Sequence, residues 1–82
     1  MINDSTAPAK IRAGRALLGI SQGDLATQCG LTRTTVTRLE QDCTKATQET
    51  MDVLSKFFEN SGIQFNQFGN KLFVMADMLE II

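Results

Sequence analysis

Residues 21–40 read SQGDLATQCGLTRTTVTRLE, and this stretch decides how the chain folds. Ser21 is a strong helix N-cap, because its hydroxyl accepts a backbone N–H that a first helical turn leaves unpaired. It opens a helix over residues 22–29, with Leu25, Ala26 and Cys29 on the inner side. Gly30 ends that helix, being the residue type that most readily takes a left-handed backbone. Thr32 caps again, and a further helix over residues 33–41 turns Val36 and Leu39 inward. Two short helices joined by a tight turn follow from this spacing. Ala26 is small where the helices meet, and Leu25, Leu31 and Val36 form an apolar triangle that fixes their crossing. Arg33, Thr34, Thr37 and Arg38 are left together on the outer face, in two i, i+4 pairs.

Outward from this unit the pattern stays helical on both sides. The opening MINDST is polar and reads as a frayed end, and Pro8 suits a first helical turn. Ile11, Ala16 and Leu18 are expected to share an apolar face with Ile20, with Lys10 and Arg12 pointing away and Gly19 stopping the helix. Beyond a polar connection at 42–46, Thr47 caps a helix over residues 48–60, with Met51, Leu54 and Phe58 as its buried stripe. After Asn60-Ser61-Gly62 the pattern changes. Apolar stretches at 63–65 and 71–74 flank residues 66–70, which include Gly69, and predict a β-hairpin with a longer loop. Residues 75–82 read as a short helix or a further strand.

Eighty-two residues suffice for one domain with a modest core. Eight basic against nine acidic side chains give a net charge of −1, so average electrostatics do not favour nucleic acid. The distribution is uneven. Residues 1–45 hold six basic and four acidic side chains, whereas residues 46–82 hold two and five. Positive charge therefore gathers around the paired helices. Cys29 and Cys43 suit a reducing compartment, and without histidine they cannot assemble a four-ligand zinc site. With neither metal ligands nor a Gly-rich phosphate loop, no catalytic constellation and no cofactor are expected. The polar start is no signal peptide and no apolar run is long enough to span a bilayer, so a cytoplasmic location is expected.

From Arg15 to Glu40 the chain follows R-x-L-L-G-I-S-Q-x-D-L-A-x-x-x-G-L-T-R-x-T-V-x-R-L-E without a gap. In this pattern it resembles the Xre/Cro-type helix-turn-helix regulators of phages and bacteria, over residues 11–58. The resemblance implies a mainly α fold: a four-helix, lambda-repressor-like DNA-binding domain over 8–62, then a short C-terminal β-hairpin or tail over 63–82. It implies that Gln22 bonds a DNA phosphate and braces the recognition helix. Arg33, Thr34 and Arg38 would read base edges, with Thr37 as a fourth reader, and Thr35 would touch the backbone. Arg15 and Glu40 match a pair that joins the first helix to the end of the third, while Ala26 and Gly30 hold the turn. Family members usually place a glycine and then a proline after the third helix, where this chain has Asp42 and Ala46. Asp42 is expected to take the left-handed turn, leaving the phosphate contact of that loop to Lys45.

The partner implied is double-stranded DNA, read as a palindrome by a homodimer. The tail is rich in large apolar side chains, and Phe65, Phe73, Val74 and Met78 are expected at the dimer surface. The plainer reading has the tail fold back over the fourth helix and complete the monomer core. The function expected is a transcriptional repressor. One alternative is an antitoxin whose tail holds a toxin, and another is a protein-interaction module that retains the fold.

Overall fold

Local capping sets where each helix begins. In the computed structural model, which describes residues 5–77, α1 spans Ala7–Leu18, α2 Gln22–Cys29, α3 Arg33–Leu39 and α4 Gln48–Asn60. Strands β1 (Ile63–Phe68) and β2 (Lys71–Ala76) follow. The Ser21 hydroxyl accepts from the Asp24 N–H at 3.0 Å while the Asp24 carboxylate accepts the Ser21 N–H at 3.1 Å, a reciprocal capping box. Thr32 and Thr47 accept in the same way from the N–H groups of Thr35 and Thr50, both at 3.1 Å. Gly30 takes φ 69°, and the next N–H, that of Leu31, closes onto the Ala26 carbonyl at 2.8 Å.

The third helix is shorter than residues 33–41. It ends at Leu39, and the N–H groups of Gln41 and Asp42 tighten back onto the Arg38 carbonyl at 3.0 and 2.9 Å. Among the described residues no non-glycine has a positive φ, so Asp42 does not take the left-handed turn expected of it. Its carboxylate instead accepts the Thr44 N–H at 2.8 Å, shaping the loop through a side chain.

The core is drawn from every element except β2. Met51, Leu54 and Phe58 of α4 meet Ile11 of α1, Leu25 of α2, Val36 of α3 and Ile63 of β1, all at most 2 % exposed. The inner face of α1 is rotated from the expected one. Ala7, Lys10, Ile11 and Gly14 are buried, Leu18 is half-buried and Ala16 is exposed. The buried row thus runs 7, 11, 14, 18, the i, i+3/i+4 stripe of a helix starting at Ala7. Lys10, expected to point away, falls within that stripe.

The hairpin extends further than expected, and its loop is correspondingly tighter. Its strands pair antiparallel from Ile63↔Ala76 to Phe68↔Lys71, which leaves only Gly69 and Asn70 as the turn. Gly69 has φ 60° and Asn70 does not, the sign pattern of a type II′ hairpin turn. Alternation along the strands gives two faces. Phe65 and Val74 are half-buried against the core, with Phe65 edge-on to Phe58 at 5.7 Å between ring centres. Phe68 and Phe73 meet edge-on at 5.6 Å on the opposite face, beside Met75, and are 68, 42 and 46 % exposed in that order. Met75 and Ala76 continue β2; residues 78–82, and Met78 with them, lie outside the described residues.

Helix α1 approaches the α4 aromatic ring at Gly14. A Cβ there would lie 2.7 Å from Phe58 Cε1, so the helix or that fully buried ring would have to shift. Gly14→Ala gains about 1 kcal/mol of helix propensity. It meets an overpacking penalty of about 1–3 kcal/mol. The variant is expected to be less stable by about 1 kcal/mol in urea unfolding. A raised midpoint would show that α1 and α4 are not in tight contact.

Candidate nucleic-acid interface

The inward residues of α2 and α3 determine what remains outside. Leu25, Ala26, Val36 and Leu39 are buried and Leu31 packs against them half-buried, so the two helices meet through side chains of both. Arg33, Thr34 and Arg38 are exposed and Thr37 is half-buried. Together with Gln22 these four line one shallow depression on the molecular surface. Thr35 points elsewhere. It shares an adjoining hollow with Arg38, Asp42, Lys45 and the start of α4. Arg38 is the residue common to both. No hydrogen bond or ion pair engages the side chains of Arg33 or Arg38 among the described residues, so their fork-shaped donors face solvent.

Asp42 brings negative charge to the second hollow. The backbone N–H and the hydroxyl of Thr44 hold its carboxyl below the ordinary aspartate range, with Lys45 adding a smaller electrostatic pull. Lys45 therefore has an ionised neighbour, and the hollow is less positive than its lysine and arginine alone would make it.

Behind the outer face lies a polar cluster centred on Glu40, which is 4 % exposed. Arg15 Nε donates to Glu40 Oε2 at 2.7 Å and Nη2 to Oε1 at 3.2 Å. Arg15 Nη1 also holds the Ile20 carbonyl at 3.1 Å, tying the α1–α2 connection to the same group. Gln22 Nε2 donates to Glu40 Oε1 at 3.0 Å, and Thr37 Oγ1 donates to Gln22 Oε1 at 2.9 Å. Arg12 donates to the Glu40 backbone carbonyl. Arg12, expected to point away from the core, is thus part of the cluster, and its i, i+3 spacing from Arg15 puts both on one side of α1. Burial pushes the Glu40 carboxyl up, but the hydrogen bonds from Arg15 and Gln22 and the charges of Arg15 and Arg12 outweigh it. The net result lies below the usual glutamate range.

A depressed carboxyl pKa makes stability depend on pH in one direction. Glu40 contributes fully above the unfolded value of about 4.3, and the contribution is lost as pH falls through the lower folded value. Glu40→Gln is expected to destabilise by about 1–3 kcal/mol at pH 7, with the deficit shrinking steadily below pH 5. Urea midpoints of both proteins at pH 7, 5 and 3 measure this. A deficit that stays constant with pH would mean that the carboxylate charge contributes nothing.

No helix among the described residues is long and apolar enough to cross a membrane. A search among curated proteins finds no match. A family model described as helix-turn-helix matches residues 11–63, well over half of the chain, from within α1 to the first residue of β1. The matched span contains the α2–α3 unit, the Glu40 cluster and the loop to α4. By this match the chain belongs to the helix-turn-helix family, a family of DNA-binding regulators.

Proposed function

We propose that the protein is a sequence-specific transcriptional repressor that lays α3 into the DNA major groove and occupies a palindromic operator as a homodimer. The observation that carries this reading is the outer face of α3. It presents two guanidinium groups that have no hydrogen-bond or ion-pair partner among the described residues, flanked by Thr34 and Thr37. A free arginine fork can bond guanine O6 and N7 together, worth about 1–3 kcal/mol of discrimination. Gln22, Thr35 and Lys45 border that face and serve as phosphate contacts, which fix register without reading sequence. An amide carries two N–H donors, so Gln22 keeps one for phosphate beyond its bond to Glu40.

Dimerisation is supported by the outer face of the hairpin. Phe68, Phe73 and Met75 form an apolar patch, and among the described residues no third strand pairs with β1 or β2. Phe65 and Val74 contribute from beneath by fixing the hairpin on the core, and Phe73 makes the contact itself. Repression then follows from occupancy, since a bound dimer excludes polymerase from the operator.

Selection from a random DNA pool is expected to yield an inverted repeat with half-sites about 10 base pairs apart. Arg38→Ala should weaken binding to that site by about 1–3 kcal/mol and relax preference at one position. Lys45→Ala should weaken all sequences alike and reduce the salt slope by about one. A pool that shows no enrichment would refute DNA reading by this face. Sedimentation at micromolar concentration tests the assembly separately: the full chain should run as a dimer and Phe73→Asp as a monomer. A monomeric full chain rules the dimer out.

A further inference from the structure

Thr37 Oγ1 lies 2.9 Å from Gln22 Oε1 and 3.0 Å from the Arg33 carbonyl oxygen. A hydroxyl has one proton, whereas an amide oxygen and a backbone carbonyl can only accept. The orientation of the Gln22 amide is fixed from its far side. Glu40 Oε1 sits 3.0 Å from one end of that amide, and a carboxylate accepts only, so this end must be Nε2. Arg15 grips the same carboxylate through two donors, at 2.7 and 3.2 Å, and keeps it ionised. Donation therefore runs toward Glu40 from both sides: from Arg15, and from Thr37 by way of Gln22. Both near neighbours of the Thr37 hydroxyl demand its proton and neither can supply one. The proton is turned inward. In the depression that Thr37 lines with Arg33, Thr34 and Arg38, its hydroxyl has only an oxygen lone pair left to offer.

Resting on the docking of α3 given above, we propose that Thr37 reads its base as a hydrogen-bond acceptor only. It selects adenine N6 or cytosine N4 on the strand it faces. Guanine and thymine are rejected there, because their major-groove oxygens meet its lone pair. Ordinarily a threonine hydroxyl rotates to suit either kind of base edge, and so discriminates little. Here Arg15 and Glu40 remove that freedom through Gln22. They act as positioning residues for a specificity that Thr37 expresses.

Parallel selections with the wild type and Thr37→Val identify the base pair whose preference depends on residue 37. At that pair the wild type is expected to enrich adenine and cytosine interchangeably on one strand. Duplexes carrying unsubstituted purine in place of adenine then delete the amino group alone. Wild-type affinity should fall about five- to tenfold on that deletion. Thr37→Ser, which keeps the hydroxyl, should fall by a similar factor, and Thr37→Val should show no such loss. Circular dichroism of the variants confirms that each is folded. Wild-type binding that ignores the missing amino group overturns the acceptor assignment while leaving the docking of α3 intact. A pool without any enriched sequence overturns the docking, and the assignment with it.

Discussion

The Glu40 carboxylate is the constraint around which the rest is arranged. It stands at the C-terminal cap of α3, where the carbonyl end of a helix already carries partial negative charge and disfavours an anion. A helix of seven residues is too short to hold itself together in water, so its placement depends on what grips it from outside. Arg15 neutralises the side chain and Arg12 takes the backbone carbonyl of the same residue, reversing the local charge. A buried ion pair of this kind adds little stability over a well-packed apolar pair. What it adds is orientation. Three helices meet at one group: α1 through its arginines, α2 through Gln22, and α3 through Glu40 itself.

The fold is legible in the sequence wherever the signal is local. Ser21, Thr32 and Thr47 cap helices through atoms within three residues of themselves, and Gly19 and Gly30 stop them on the spot. Features set by distant partners are not legible in this way. The inner face of α1 depends on where α4 and the hairpin lie, and an apolar pattern of alanines and leucines fits more than one rotation. The pattern therefore points Lys10 outward, whereas it lies within. Asp42 shows the converse: the residue type tolerates a left-handed turn, but a side-chain bond to Thr44 shapes the loop without one.

The surface of α3 was legible as a list of residues and not as a set of functions. Helical spacing puts Arg33, Thr34, Thr37 and Arg38 outside, because the inward positions are taken by Val36 and Leu39. It cannot tell which side chains are already engaged. Among the described residues Arg33 and Arg38 have no side-chain partner, while Thr37 is bonded to a residue fifteen positions earlier. Nor does an acidic whole-chain balance describe this face. Of the acidic groups nearby, Glu40 is neutralised from behind, and Asp42 stands in the neighbouring hollow with Lys45. The field at a binding surface is set by the charges within about a Debye length, roughly 8–10 Å at physiological salt.

The two-residue turn at Gly69 and Asn70 has a consequence for how such a surface changes over time. Side chains alternate along a strand, so the turn length decides which aromatic set is core and which is surface. In the present register Phe65 and Val74 face inward and Phe73 and Met75 outward. One residue inserted at the tip, with β1 held in place, would shift β2 by one position and send Phe73 and Met75 in while Val74 turned out. No side chain would need to be replaced. The composition of the outer face is thus stored as a length, and a single codon gained or lost can rewrite what the hairpin offers to another molecule.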